Sequence, residues 1–300
     1  MSETFLAVVN PAAGGGRCRN LVGSVLDRLR AGGVSVEVAE TTAPGHATQI
    51  ARDAHAQGRS HFIAVGGDGT SYEIVNGLFS RDVSGPQPTL AFLPLGTGNS
   101  FLREFTDRGV EHAIEALLAG RSRPCDVLRM KHTGGVIHYI NLLSMGFAAD
   151  VATLRARRFR AWGELGYQAS IFVSLARMRR RPFPLRIDLQ GELDRRPCLF
   201  LTFNNSKFTG GTMMIAPKAE VNDGLIEYVR WGPIGRIELV RKLPTLYDGT
   251  HINDPLAERH GAKRIDFELD APVDVMVDGE VMSIQCQTLD VLPAALNVVV

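Results

Sequence analysis

Four times in the first 120 residues, a short apolar run gives way to a turn and then to a stretch with helical spacing of apolar side chains. The runs Thr4 to Val9, Val34 to Ala39, His61 to Val65 and Leu90 to Leu93 read as strands. Arg19 to Leu29, Ala47 to Gln57, Tyr72 to Phe79 and Val110 to Ala119 read as the helices that follow them. Strands and helices alternating at this length predict a mostly parallel sheet covered on both faces. Three of the turns are glycine-rich: Asn10-Pro11 with Gly14 to Gly16, Gly66-Gly67-Asp68-Gly69-Thr70, and Gly96-Thr97-Gly98-Asn99. Such loops fall at the carboxyl ends of the strands, where open α/β sheets bind ligands.

The grammar changes after Arg123-Pro124. Strand-like runs follow at Val127 to Met130, Ile137 to Leu143, Leu185 to Leu189, Leu199 to Phe203, Leu225 to Trp231, Ile265 to Leu269 and Val273 to Val277, separated by turns. Short strands in this pattern predict a β-sandwich. The expected fold class is therefore α/β plus all-β: an α/β domain over 1–125 and a β-sandwich over 126–290. The final strand, near 291–300, could pair with either. A length of 300 residues suits two domains at about 100–200 residues each.

Thirty-three Lys and Arg against 32 Asp and Glu leave a net charge of +1, so no global field favours nucleic acid. No apolar run approaches the ~18 residues of a membrane span, and the residues after Met1 read as no signal peptide, so a cytoplasmic location is expected. Cys18, Cys125, Cys198 and Cys286 form no C-x-x-C pair and read as reduced core thiols. Charge is concentrated locally, with nine Arg and only Glu164 between Arg155 and Arg186. Within that segment Tyr167 to Met178 reads as an amphipathic helix, with Trp162, Tyr167, Ile171, Phe172 and Leu175 available to one face or its neighbours. Two readings stand: a core-packed helix with solvated Arg ends, or an interfacial element holding anionic lipid headgroups.

Glycines after a buried strand let a phosphate approach the backbone and meet its N–H groups. Asp68 sits between two of them and reads as an exposed carboxylate able to reach a ribose hydroxyl or a magnesium-bound water. Familiar alternatives are absent: the chain contains no G-x-x-x-x-G-K-[ST], strict G-x-G-x-x-G, H-E-x-x-H or G-x-S-x-G. Taken alone, Asn10-Pro11, Thr41 and Asn222-Asp223-Gly224 read as turns, and Val277 to Val281 as a hairpin with an Asp-Gly turn.

In order along the chain, NPAAGGGR (10–17), GGDGT with NGL (66–78), LPLGTGN (93–99), GGTMMIAPKAEVNDGLIE (210–227) and VDGE (277–280) resemble the diacylglycerol kinase catalytic family of soluble bacterial lipid kinases. That family also includes sphingosine and ceramide kinases. The resemblance spans essentially the whole chain. It implies an active site in the cleft between an α/β domain and a β-sandwich. It also implies magnesium- and ATP-dependent transfer of the γ-phosphoryl group to a lipid hydroxyl, most simply diacylglycerol to phosphatidic acid, a step of phospholipid metabolism.

Carried over residue by residue, the resemblance implies that Asn10, Pro11, Gly14, Arg17 and Thr41 line the nucleotide. Gly66, Gly67, Asp68, Gly69, Thr70, Gly96, Thr97 and Asn99 would hold its phosphates and ribose. Glu280 is implied as general base, with Asp278 orienting it or sharing the charge network, and Asp126 as a carboxylate of a magnesium-water network. The Asp223 side chain, with main-chain oxygens of Glu220 and Leu225, is implied to bind a structural magnesium. The histidines show no ligand pairing.

The chain departs from the family pattern at Ser100, where Asp is usual, at Ala13, where Ser is common, and at Ala148, where Asp is frequent. Ser100 leaves a sphingoid base or ceramide open as the acceptor. An enzyme resembling NAD kinase shares the GGDG loop but leaves the NDG and DGE motifs unexplained, and a non-catalytic nucleotide- or lipid-binding regulator is the alternative of another class. The resemblance implies a membrane lipid as partner, the Arg155 to Arg186 segment adds, transiently, an anionic membrane surface, and no nucleic acid is expected. The oligomeric state, monomer or homodimer, is left open.

Overall fold

Alternate residues of the N-terminal strands face opposite ways, and both sets are buried: Ala7, Val9, Ile63, Val65, Ala91 and Leu93 on one face, and Leu6, Val8, Phe62, Ala64, Leu90 and Phe92 on the other. A sheet apolar on both faces needs helices on both. The computed structural model describes residues 4–80, 85–159 and 163–300. It divides the chain into two units, Met1–Val127 with Pro293–Val300, and Leu128–Leu292.

In the first unit β1 (Phe5–Val9), α1 (Arg17–Ala31), β2 (Val36–Glu40), α2 (His46–Ala56), β3 (His61–Val65), α3 (Asp68–Leu78), β4 (Thr89–Leu93) and α4 (Gly109–Ala119) alternate as the sequence predicts. The strands pair in parallel in the order β2-β1-β3-β4, and Asn297 to Val299 of the chain's last strand add a fifth beside β4. Helices α1 and α4 cover one face through Leu26, Leu29, Ile114 and Leu117. Helices α2 and α3 pack so closely that a Cβ on Gly77 would lie 2.4 Å from the Thr48 carbonyl oxygen.

One boundary differs in a way that matters. Helix α3 begins at Asp68 rather than near Tyr72, because extended Gly67 (φ −127°) serves as its N-cap and Asp68 places a carboxylate in the first turn. There it complements the positive end of the helix dipole. Three of the five residues of the expected loop are thus helix.

The second unit contains β5 (Ser122–His132, entering from the first unit), β6 (Gly135–Tyr139), β7 (Leu142–Gly146), α5 (Phe147–Leu154), α6 (Gly163–Ala176), β8 (Leu185–Ile187), β9 (Gln190–Asp194), β10 (Phe200–Asn204), β11 (Phe208–Thr209) and β12 (Met213–Met214). They are followed by β13 (Ile226–Trp231), α7 (Arg236–Lys242), α8 (Thr245–Asp248), β14 (Ala257–Ala262), β15 (Arg264–Phe267), β16 (Val273–Val277), β17 (Glu280–Ile284) and β18 (Cys286–Val299). One antiparallel sheet runs β14-β13-β10-β7-β16-β17, and the other β6-β5-β18-β15-β8-β9. The Phe203 ring of the first lies edge-on to Phe267 of the second, 5.3 Å between centroids. The buried Tyr139 hydroxyl crosses the same interior to donate to the Phe203 carbonyl at 3.2 Å. The architecture is an antiparallel β-sandwich.

Two expectations need correction. Ile137 to Leu143 is two strands, β6 and β7, because the chain turns at Ile140-Asn141, whose N–H groups go to a side chain described below. On α6, Ile171 and Leu175 pack against the core containing Phe147, Trp231 and Leu239, whereas Phe172 faces solvent. Arg160 and Trp162 lie outside the described residues, as do the side chains of Glu164 and Tyr167. All four cysteines are buried free thiols, and burial pushes Cys198 and Cys286 up to about 12, which keeps them protonated and inert.

Candidate active site

Because β1 to β4 run parallel, the loops after them meet on one edge. The Asn10 N–H donates to the Val65 carbonyl at 3.0 Å, and its Oδ1 accepts the Ala12 N–H at 3.1 Å across Pro11. Its Nδ2 donates to Thr70 Oγ1 at 3.4 Å, tying the first loop to the third. Thr41 joins through its N–H, given to the Val9 carbonyl at 2.8 Å.

The loops after β3 and β4 interlock by main chain. The Gly96 N–H donates to the Gly66 carbonyl at 2.7 Å, and the Asp68 N–H to the Gly98 carbonyl at 3.0 Å. A Cβ on Gly96 would lie 2.7 Å from the Gly67 nitrogen, and one on Gly67 2.8 Å from the Gly98 oxygen, so neither position admits a side chain without movement. Gly14, left-handed at φ +63°, brings the first loop to the same place: a Cβ there would lie 2.8 Å from the Leu95 carbonyl. Arg17 Nε donates back to the Gly14 carbonyl at 3.3 Å. Every nucleotide-side residue named from the sequence is on this edge.

Asp68 is half-buried, not exposed. Its Oδ2 accepts the Ser100 N–H at 3.0 Å, and the Ser100 hydroxyl and Phe101 N–H also bond to the carboxylate. Burial pushes its carboxyl above the usual carboxylate range, and these donors pull it part of the way back. A hollow lined by Gly66, Gly67, Asp68, Ser71, Asn99 and Phe101 opens beside it. Around Gly15 and Gly16 there is open space where a Cβ would be, so a polyphosphate can approach the backbone there. The open backbone at Gly15 and Gly16 and the hollow beside Asp68 therefore fit a nucleotide. The amino end of α2 does not share in this. Glu73 fills it, accepting N–H groups from Gly45 at 2.9 Å and Ala47 at 3.0 Å.

Asp126 is 1% exposed, and its Oδ1 accepts the Ala294 N–H at 2.6 Å. That bond holds Ala294 in a left-handed conformation (φ +48°) where the last strand returns to the first unit. Asp126 has at least this structural role.

In the second unit, Asp278 and Gly279 form a two-residue turn with φ +48° and +91°, the type I′ geometry that suits a hairpin between β16 and β17. Glu280 opens β17 and is exposed. The Asp278 carboxylate turns inward and is buried, accepting main-chain N–H groups from Ile140 at 3.1 Å and from Asn141 and Leu142 at 3.1 and 2.9 Å. Asn141 continues inward, its Oδ1 bonded by the Ser206 hydroxyl at 2.5 Å, while Asn205 Nδ2 donates to the Ile140 carbonyl at 2.9 Å. Sequence reasoning missed Asn141, Asn205 and Ser206. The signal was Asn204-Asn205-Ser206 ending the apolar run of β10, three polar residues where a core strand should finish.

The Asn222-Asp223-Gly224 segment is a turn in which Asp223 Oδ1 accepts the Leu225 N–H at 2.9 Å, with Gly224 left-handed (φ +73°). Glu220 and Asp223 are exposed and Leu225 is half-buried. Among the described residues no group of three or more His, Cys, Asp or Glu side chains is placed to hold a metal ion. The oxygens available around Asp223 are of the hard type that magnesium takes.

Comparison with known proteins covers both units. Residues 4–130 match the diacylglycerol kinase catalytic domain, and 141–300 the YegS C-terminal NAD kinase beta sandwich-like domain. A diacylglycerol kinase of Mycobacterium tuberculosis is 27% identical over 297 residues, 97% of this chain and 93% of that protein. "Probable lipid kinase YegS" of Salmonella paratyphi A is 30% identical over 279 residues, 90% of this chain and 87% of that one. A crystal structure of a diacylglycerol kinase from Bacillus anthracis superposes with a TM-score of 0.72 at 21% identity, covering 99% of this chain and 96% of the other. An α/β unit with interlocked glycine loops, followed by this sandwich, is the architecture of a kinase class. The chain belongs to the diacylglycerol kinase catalytic-domain family and is a lipid kinase.

Proposed function

We propose that this kinase transfers the γ-phosphoryl group of ATP to the free hydroxyl of diacylglycerol, giving phosphatidic acid and ADP, with magnesium required. The observation that carries the donor half is the meeting of three glycine loops around Asp68 on one strand edge. The acceptor half rests on relatives named diacylglycerol kinase in Mycobacterium tuberculosis and Bacillus subtilis, 27% and 26% identical.

In this reading the nucleotide lies along the glycine loops, with Asn10, Arg17, Thr41, Thr70, Thr97 and Asn99 around it. Glu280, on the second unit, is the group that meets the lipid hydroxyl. The lipid hydroxyl oxygen forms the new bond to the γ-phosphorus while the bond from that phosphorus to the β–γ bridging oxygen breaks, and Glu280 takes the hydroxyl proton. Removing that proton during transfer contributes ~10²–10⁴-fold. Magnesium, when bound, neutralises charge on the phosphoryl oxygens. Asp68 and Asp126 would belong to its water network, and Asp223 with the Glu220 and Leu225 carbonyls would hold a second, structural ion. Asp278 acts through its turn, fixing where Glu280 leaves the sandwich.

Among the described residues no helix is long and apolar enough to cross a membrane, so the enzyme would meet its lipid at a surface. The test is transfer of labelled phosphate from magnesium ATP to diacylglycerol, sphingosine and ceramide in mixed micelles, with NAD as the soluble comparison. Labelled phosphatidic acid is expected. Product on sphingosine or ceramide alone would change the acceptor, and product on NAD alone would overturn the lipid reading.

A further inference from the structure

Two of the three most exposed large apolar side chains among the described residues are Phe172, 68% exposed on α6, and Ile237, 71% exposed on α7. Their helices are latched together. Arg236 donates from Nε to the Leu175 carbonyl at 3.1 Å and from Nη2 to the Ala176 carbonyl at 3.2 Å, closing the carboxyl end of α6 with the first residue of α7. Arg180, beyond the end of α6, returns the contact by donating to the Ile234 carbonyl at 3.0 Å. Phe172 lies one turn before Ala176, and Ile237 follows Arg236, so the latch brings the two apolar side chains to neighbouring turns. Val240, three residues past Ile237 and 48% exposed, extends the patch along α7.

The surrounding charge is mostly positive. From Gly166 to Leu185 there are four Arg and no Asp or Glu. No carboxylate among the described residues pairs with exposed Arg177 or Arg179, or with Arg241 on α7. The one acid of α7, Glu238, is taken by Lys242 at 2.6 Å. An exposed aromatic and two aliphatic side chains in an arginine rim match the boundary of a bilayer, where apolar groups enter below a layer of negative headgroups. A protein partner would have to supply both a large apolar face and an acidic rim, whereas an anionic bilayer presents both everywhere.

We infer that the paired face of α6 and α7 docks the protein on anionic phospholipid bilayers, with Phe172, Ile237 and Val240 inserted and Arg177, Arg179 and Arg241 held at the headgroups. The inference rests on the lipid-kinase reading for its purpose but not for its test, which needs no turnover.

The experiment is sedimentation of the full chain with vesicles of phosphatidylcholine alone or with 30% phosphatidylglycerol, without nucleotide, at low and high salt. Wild type should bind the anionic vesicles at low salt and release at high salt, with little binding to neutral ones. Phe172→Ser with Ile237→Ser, and separately Arg177→Glu with Arg179→Glu, should keep the wild-type melting temperature. Since each Arg near the surface carries about a fivefold effect on partitioning, the Arg pair should lower binding roughly 25-fold or more. Activity on a water-soluble short-chain diacylglycerol should not change in either variant. Equal binding to neutral and anionic vesicles, or wild-type binding by both variants, would overturn the inference. A protein that ignores vesicles but forms a dimer dispersed by Phe172→Ser with Ile237→Ser would overturn it in favour of a second copy of this chain. Vesicle binding as described, without phosphorylation of any lipid, would uphold the surface and refute the proposed function.

Discussion

Ser100 donates its main-chain N–H to Asp68 Oδ2 at 3.0 Å and its hydroxyl to the same carboxylate, so the residue that departs from the family pattern supports the acid rather than leaving a gap. The expected Asp would place a second negative charge against this half-buried group. Ser100 instead favours the ionised form.

Ser100→Ala removes one of the donors that lower the Asp68 pKa, so Asp68 should ionise at a higher pH. The acid limb of the kcat/KM profile should move up in pH, with turnover near neutral pH reduced about threefold to tenfold. An acid limb that stays in place would separate Asp68 from the rate.

Asp278→Ala removes the acceptor of three buried N–H groups. Since each buried unsatisfied group costs about 1–3 kcal/mol, the loss should be about 3 kcal/mol or more, read from the urea midpoint. Asp278→Asn retains one side-chain oxygen and should lose less. Equal, small losses in both variants would show that the turn at Ile140-Asn141 does not depend on this carboxylate.

His138 is buried beside the Arg129–Asp290 pair, and desolvation, helped by the Arg129 charge, lowers it from 6.5 to about 4. Between those values the unfolded chain binds the proton that the folded one refuses, so stability falls as pH drops from 6.5 toward 4. The full shift corresponds to about 3 kcal/mol. Urea melts at pH 7 and pH 4.5 should show this fall in wild type and a clearly smaller one in His138→Gln.

Gly96→Ala and Gly67→Ala place a methyl within 3 Å of facing main chain and should push the two loops apart. Nucleotide affinity should fall about tenfold or more, while Gly15→Ala, whose Cβ would meet open space, should cost less affinity despite its left-handed backbone. Equilibrium binding of a labelled ATP analogue distinguishes them. Equal losses at all three would show that the close approach of the two loops does not set the affinity.

The first unit was legible because its signals are local. Each strand carries an unbroken apolar run, each helix a 3.6-residue spacing, and Gly66 to Asp68 and Gly96 to Asn99 announce their turns. What the sequence could not show is that Gly96 touches Gly67, a contact between loops about 30 residues apart that depends on strand order. In the sandwich, β16 and the Asp-Gly hairpin that leads into β17 are legible, but β9 and β14 are not, because half-buried strands such as Ala257–Ala262 carry Glu258, Arg259 and His260 and lack an apolar alternation. The inward turn of Asp278 was hidden for a related reason. An Asp-Gly dipeptide specifies the hairpin, and nothing near it in the chain points to Ile140, Asn141 and Leu142. On α6 the spacing suggested a face but not which way it pointed, and only the core around Trp231 separates Leu175 from Phe172.

In the proposed function nucleotide binding falls to the Asp68 edge and proton removal to Glu280, and one paired measurement tests that division: ATP affinity and single-turnover transfer to diacylglycerol for wild type, Asp68→Asn and Glu280→Gln. Asp68→Asn should weaken magnesium-dependent ATP binding and transfer together. Glu280→Gln should bind ATP as wild type does and form labelled phosphatidic acid about 10²–10⁴-fold more slowly. Wild-type transfer by Glu280→Gln would contradict the account at its centre.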